Sequence, residues 1–360
     1  MEPTFLKSVE ELLPLLAGKR FLLIHGHSFE SFPFAEELRS RCAAEFTGFS
    51  PNPTLEEAQA GLRVFQEQGC DGILAVGGGS AMDTAKCIRC FANTAPESCD
   101  LRAPVEDTGV PLYALPTTAG SGSESTRYSV IVKDGAKISL SDESLLPAVV
   151  VLEPSVLASL PLYQKKCTLL DALCQAIEAL WSIRADERSD ALARESAELI
   201  RDHWRDYIFR NDPASFEPIL RAANLSGQAI HITATTAGHA MSYALTTLYG
   251  VAHGLAVATI MAKVWPWNIA HMEDCADPRG AAHLERVLNS LPISYEQFLE
   301  MLEEMELRHP VCGAKWEDLP KMCASVNPVR LKNHPVTLRP ETIEALYREL
   351  IGELGREQNP

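Results

Sequence analysis

The chain has 360 residues, a formal net charge of −16 and ten cysteines. That length allows two domains and a sizeable core, while the acidic balance argues against nucleic-acid or membrane-surface partners, which need clustered basic residues. No apolar run approaches a membrane span, the N-terminus lacks a signal-peptide pattern, and the scattered cysteines, without a repeating spacing, read as the reduced thiols of a cytoplasmic enzyme.

The first part alternates strand and helix signals. Phe21 to Ile24 is an apolar strand ending at Gly26, and a helical stretch follows through Glu36 to Ala44. Phe46 to Phe49 reads as a second strand. Thr54 and Glu57 form a capping box that opens a helix to about Gln68. Ile73 to Val76 is a third buried strand, after which Ser80 to Asp83 opens a helix with a capping-type pair of its own. Leu112 to Leu115 reads as a fourth strand. Continuous apolar strands separated by helices imply a parallel sheet covered on both faces. Val130 to Val132 and Ile138 to Leu140 flank Asp134-Gly135, a strong hairpin signal. Val149 to Leu152 is another strand, bracketed by Pro147 and Pro154. Beyond Leu157 the pattern is almost wholly helical. The expected organisation is therefore an α/β dinucleotide-binding domain over residues 1–155 and an all-α metal and substrate domain over 156–360.

Gly77, Gly78, Gly79 and Ser80 stand where the third strand meets a helix. Glycines let the backbone approach a pyrophosphate, and a helix N-terminus offers N–H groups and a positive dipole end. Such a turn also serves as a plain tight connection. A second polar turn, Pro116 to Glu124, follows the fourth strand and carries Thr117, Thr118, Ser121 and Ser123. Two such turns at successive strand ends point to a nucleotide cofactor. After the first strand, Gly26-His27-Ser28 has no carboxylate until Glu30. That leaves room for a 2′-phosphate with Ser28 and His27 as donors, and favours NADPH over NADH.

In the helical part, Asp171 and Gln175 lie four apart and share one helix face. His239 and His253 lie in apolar, small-residue sequence. This mixed oxygen and nitrogen set suits a divalent ion such as iron, zinc or manganese.

The strings Gly77 to Lys86 (GGGSAMDTAK) and Pro116 to Glu124 (PTTAGSGSE) resemble the iron-containing (group III) alcohol dehydrogenase family. Asn52-Pro-Thr, Lys137, Pro147, Asp171-Ala-Leu and the His239/His253 segment extend the resemblance over most of the chain. It implies a dehydroquinate synthase-like fold, a homodimer, and hydride transfer between NAD(P)H and an aldehyde beside Fe2+ or Zn2+. It adds Gly26, Asn52, Asp83 and Thr126 to the expected cofactor contacts and places Lys137 beside the nicotinamide. Two positions depart from the family: Gln175 and Tyr243 stand where it usually has histidines. Gln175 is then a weaker ligand, at or near the fourth place, and Tyr243 a candidate proton relay. The run Asp171 to Ser182, with the segments ending at Tyr243 and Val257, resembles the phosphonoacetaldehyde reductase branch. An anionic aldehyde needs a cation, for which Arg127 and Lys137 are the candidates. Sulfoacetaldehyde or a simple aliphatic aldehyde remains an alternative substrate. Two further readings are a sugar-phosphate cyclase of the same architecture and a metal-free nucleotide-binding protein. His203 and His271 read as structural or surface residues.

Overall fold

The computed structural model describes residues 3–308 and 313–354. By internal contacts the chain divides into two units, Met1–Leu160 with Asn211–Gly227, and Pro161–Arg210 with Gln228–Pro360.

In the first unit the strands are β1 (Thr4–Leu6), β2 (Phe21–His25), β3 (Ala44–Phe46), β4 (Gly72–Gly77), β5 (Leu112–Pro116), β6 (Tyr128–Lys133), β7 (Ala136–Ser141) and β8 (Val149–Val151). Six of them form one sheet in the order β1-β8-β5-β4-β2-β3, and β6 and β7 form a separate pair. All neighbours in the larger sheet run parallel. Helices α1 (Val9–Leu12), α2 (Ala35–Arg41), α3 (Leu55–Glu67) and α4 (Gly79–Cys90) connect them. Every residue of β2 and of β4 is buried, as expected of strands covered on both faces. Leu22, Ile24, Ile73 and Ala75 pack with Leu62 and Phe65 of α3 and Ile88 of α4.

The strand order fixes where a ligand can sit. From β2 the chain crosses outward to β3, whereas from β4 it crosses to the opposite side, to β5. This reversal between β2 and β4 opens a crevice at their carboxyl ends. His25 pairs with Val76 there, so residues 26–28 and the glycine turn are neighbours.

The capping box at Thr54 forms as expected, with Glu57 N donating to Thr54 Oγ1 (3.2 Å) and Thr54 N to the Glu57 carboxylate (2.8 Å). The hairpin turns on Asp134 and Gly135, both left-handed with φ of 52° and 75°. That geometry matches the strand twist. Three local expectations are corrected. The second strand is Ala44–Phe46, not 46–49, because α2 already ends at Arg41 and the chain extends from Cys42. Ser80 and Asp83 make no capping pair. The helix begins one residue earlier, after Gly78, and Ser80 lies inside its first turn. β1 escaped notice because it is a short, mostly exposed segment whose strand character comes from pairing with β8.

Residues 211–227 were expected in the second domain, yet they pack in the first unit. A Cβ on Gly227 would lie 2.4 Å from the Gly122 carbonyl oxygen, so the two backbones touch. Asn224 Nδ2 also donates to Glu124 Oε1 (3.0 Å) and Ser125 Oγ (2.7 Å).

The second unit is helical: α5 (Leu162–Trp181), α6 (Glu187–Arg205), the end of α7 (Phe216–Thr233), α8 (Ala237–Tyr249), α9 (His253–Ala270), α10 (Ala281–Asn289), α11 (Tyr295–Glu304), α12 (Leu319–Ala324), α13 (Pro328–Leu331) and α14 (Pro340–Leu354). α5, α8 and α9 pack together around Trp181, Trp265, Leu170 and Ile177, all buried. Every described cysteine is free. No helix among the described residues is long and apolar enough to cross a membrane.

Candidate metal centre and cofactor-binding turns

In the second unit Asp171 and Gln175 lie on one face of α5, His239 on the first turn of α8, and His253 at the start of α9. One ligand atom each from Asp171, His239 and His253 falls within 4.8 Å of the other two. His239 Nε2 is 3.2 Å from Asp171 Oδ1, and His253 Nε2 is 4.0 Å from the same oxygen. Asp171, Gln175 and His239 are buried and His253 is half-buried. The amide of Gln175 lies beside the cage, its Nε2 3.4 Å from Asp171 Oδ1.

Two glycines make this convergence possible. A Cβ on Gly254 would fall 1.9 Å from the Cys167 carbonyl oxygen and 2.9 Å from Asp171 Cβ, so α9 starts directly against α5. A Cβ on Gly238 would meet Met261 Sδ at 2.7 Å and Glu178 Oε1 at 3.0 Å. Small residues thus bring three helix backbones close enough for short side chains to meet.

Glu178, fully buried on α5 two turns beyond Asp171, was absent from the expected site. Its carboxylate accepts from His239 Nδ1, Thr236 N (3.0 Å), Thr236 Oγ1 (2.7 Å) and His239 N (3.3 Å). It therefore caps α8, which has no capping side chain of its own, and also fixes the His239 ring. With Nδ1 committed to Glu178, Nε2 is the nitrogen left facing Asp171, free to ligate once its proton is displaced. Trp181 Nε1 donates to Thr236 Oγ1 (3.0 Å) and completes the network.

Charge explains why the cage suits a cation. Burial would raise the Asp171 carboxyl, but His253, His239 and Arg330 outweigh it and hold Asp171 below the usual carboxylate range. Burial likewise opposes ionisation of Glu178, and His239 and Thr236 outweigh it. Burial would lower His239, yet Glu178 and Asp171 raise it to about 9. Two buried carboxylates around one imidazole call for positive charge. A proton serves when nothing else is bound, and the donor set of one carboxylate and two imidazoles fits a first-row divalent ion.

The cofactor turns meet in the first unit. A Cβ on Gly78 would lie 3.1 Å from Thr118 Oγ1, and one on Gly79 would lie 3.3 Å from Ser121 Oγ. Thr117 N donates to the Gly77 carbonyl (3.0 Å). α4 starts at Gly79 without a side-chain cap, so its first N–H groups face this cradle unclaimed by a capping residue. The geometry fits a pyrophosphate.

Ser123 and Thr126 are buried instead against Lys86, whose Nζ donates to the carbonyls of Ser123 (2.6 Å), Thr126 (2.7 Å) and Tyr128 (2.8 Å). Burial draws Lys86 down to about 8, opposed by Asp83 and Glu124. Three carbonyl acceptors match the three protons of an ammonium, so Lys86 anchors the second turn to α4 as a cation. A lysine on the buried face of a helix was the available signal for it. Asp83 is half-buried, and its carbonyl accepts from Ser129 Oγ (2.9 Å). Asn52 is exposed in a left-handed turn, with φ of 58°.

At the end of β2, His25 is bonded to Glu45 and to the Gly26 carbonyl (3.0 Å), while His27 and Ser28 are exposed. His25, Glu30 and Glu45 form a second carboxylate–histidine group, but Arg39 already occupies it, paired with Glu30 and with Glu45 (3.2 Å). Of the expected anion-binding cations, Arg127 is ion-paired with Glu143 (2.7 Å), and Lys137 stands on β7 opposite Val132. His271 stacks on Trp267 with ring centroids 3.5 Å apart, a structural role as expected.

Sequence comparison agrees with this two-part layout. A family profile for iron-containing alcohol dehydrogenases matches residues 2–154, and the profile of the family's C-terminal part matches residues 166–351. The chain belongs to the iron-containing alcohol dehydrogenase family. It is an oxidoreductase acting on the alcohol–aldehyde couple.

Among relatives of this family member, the phosphonoacetaldehyde reductase of Streptomyces viridochromogenes is 34% identical over 300 residues, 77% of this chain and 74% of that one. The NAD-dependent methanol dehydrogenase of Bacillus methanolicus is 28% identical over 274 residues, 73% of this chain and 72% of that one. An iron-containing alcohol dehydrogenase from Thermotoga maritima superposes with a TM-score of 0.83 at 26% identity, over 98% of both chains. A sulfoacetaldehyde reductase from Bifidobacterium kashiwanohense, solved with NAD+, has a TM-score of 0.84 at 23% identity, over 97% of this chain and 96% of that one. That last likeness speaks for the fold alone.

Proposed function

We propose that this dehydrogenase reduces a small anionic aldehyde, phosphonoacetaldehyde first among them, to its alcohol with NADPH. The observation that carries the reading is the buried convergence of Asp171, His239 and His253 braced by Glu178. The identity of 34% to a phosphonoacetaldehyde reductase supports the substrate class.

Asp171, His239 and His253 would hold a divalent ion such as Fe2+ or Zn2+, with Gln175 at or near the fourth place. Bound there, such an ion supplies Lewis acidity that favours negative charge on the aldehyde oxygen. Glu178 keeps His239 in the tautomer that ligates through Nε2. Tyr243, one turn beyond His239 on α8, is the candidate to hand a proton towards the substrate oxygen. Gly77, Gly78, Gly79 and the N-terminus of α4 hold the pyrophosphate, and Thr118 and Ser121 line the same turn. Ser28 and His27 are the donors for a 2′-phosphate. Arg39 offsets part of the charge of the nearby carboxylates Glu30 and Glu45.

The test is NADPH oxidation by anaerobically purified protein, before and after metal removal, with phosphonoacetaldehyde, sulfoacetaldehyde and acetaldehyde. Preference for phosphonoacetaldehyde, lost on chelation and restored by one metal, is the expected result. No turnover of any aldehyde by the metal-loaded protein would sink the reductase reading.

A further inference from the structure

The sequence pointed to Arg127 and Lys137 for an anionic substrate group, yet the second unit itself holds a cation beside its metal cage. Arg330 lies on α13, a single turn capped by Asn327, whose Oδ1 accepts from Val329 N (3.0 Å) and Arg330 N (3.1 Å). Asn327 N donates to the Ala240 carbonyl (3.0 Å), which docks this turn on α8 beside His239. The guanidinium lies over the Tyr243 ring, 5.7 Å from its centroid, and Nη1 donates to Thr235 Oγ1 (2.9 Å).

Among the described residues Arg330 makes no carboxylate ion pair, a trait it shares with Arg194, but Arg194 bonds Ser290 whereas Arg330 lies over Tyr243 beside the cage. Arg201, Arg205, Arg210, Arg279 and Arg348 of the same unit each pair with a carboxylate. Arg330 is half-buried and has no carboxylate partner among the described residues, and there its Nε and Nη2 make no hydrogen bond. A partly desolvated guanidinium without a counter-ion is costly unless a ligand supplies one. Its charge is also felt at Asp171, which places it in the field of the cage.

We propose that Arg330 is the specificity-determining residue that receives the substrate's oxyanion, a phosphonate, sulfonate or carboxylate carried close to the aldehyde carbon. The planar fork of Nε and Nη2 matches two oxygens of such a group, while Tyr243 and Thr235 hold the guanidinium in place. The inference rests on the reductase reading above and adds to it the residue that reads the charge.

The experiment compares wild type, Arg330→Gln and Arg330→Lys, all metal-loaded, with phosphonoacetaldehyde, sulfoacetaldehyde and the uncharged propanal. A second readout is calorimetric binding of 2-hydroxyethylphosphonate to the NADP-bound protein. In Arg330→Gln the ratio of kcat/KM for phosphonoacetaldehyde to that for propanal should fall about 30- to 100-fold. Binding of 2-hydroxyethylphosphonate should weaken by a similar factor. Arg330→Lys, with a point charge but no fork, should fall between. An unchanged ratio in a wild type that prefers the anion would overturn the role of Arg330 and leave the reductase reading standing. So would a wild type that reduces only propanal and does not bind 2-hydroxyethylphosphonate. If no aldehyde turns over, the reductase reading fails, and calorimetry alone decides. Loss of binding in Arg330→Gln then supports the anion site, and unaltered or absent binding refutes it.

Discussion

The carboxylate of Glu178 holds the Nδ1 side of His239 while Asp171, two turns back on the same helix, faces Nε2. One helix face thus grips the imidazole from both sides, and the bond made by one nitrogen decides what the other can do. Replacing Glu178 by Gln puts an amide donor where an acceptor is needed, so the ring is no longer held with its proton on Nδ1. Metal affinity should fall about 10- to 100-fold. Competition with a chelator measures this, and the ring-nitrogen shifts of His239 in the zinc-loaded protein report the tautomer. Unaltered affinity together with an unaltered tautomer would remove Glu178 from the metal site.

Gln175 tests the fourth place. An imidazole is a stronger donor than an amide carbonyl to iron or zinc. Gln175→His should therefore tighten metal binding at least about tenfold, read by the same competition. If affinity stays at the wild-type level, position 175 is out of reach of the ion and the protein supplies only three ligands.

Two glycines near His253 should behave differently. Gly250 ends α8 with φ of 67° and has open space where a Cβ would point, so Gly250→Ala should cost only the left-handed penalty of about 1 kcal/mol. In Gly254→Ala the new methyl would collide with backbone at 1.9 Å, and α9 must move off α5. A loss of about 3 kcal/mol or more, accompanied by weaker metal binding as His253 leaves Asp171, is expected from chemical denaturation and metal titration. Equal effects of the two substitutions would show that the helix contact is looser than it looks.

His334 links stability to pH away from the metal cage. It is buried, with Nε2 2.8 Å from Asn268 Oδ1 and its ring edge-on to Trp181. Burial, only partly offset by Glu178, lowers it from an ordinary 6.5 to about 3. The folded protein keeps this ring neutral where the unfolded chain protonates it. Its contribution is complete above pH 6.5 and is lost as the pH falls towards 3, at up to about 1.4 kcal/mol per unit. Between pH 7.5 and 5, wild type should lose about 2 kcal/mol more than His334→Gln in urea titrations. Parallel losses in the two proteins would contradict this.

Much of the first unit was legible because its signals are local. The apolar runs of β2, β4 and β5, the Thr54 capping box and the Asp134-Gly135 turn all follow from neighbouring residues. The start of α4 was misplaced because Ser80 and Asp83 imitate a cap whose work Gly78 does without a side chain. Glu178 stood in plain view, seven residues after Asp171 and so on its helix face, but a glutamate in a helix ordinarily faces water. Only the packing of Gly238 over it shows that this one is buried.

Residue order alone was enough for the family, the parallel sheet, the glycine turn and the types of residue available for a cation. Those depend on composition and spacing within single segments. Folding in three dimensions settled which side chains meet across the 68 residues from Asp171 to His239, and that residues 211–227 belong with the first unit. It also left Arg127 compensated and Arg330 without a carboxylate among the described residues. Such outcomes depend on backbone approach and on competition among charges distant in sequence, for which no local pattern exists.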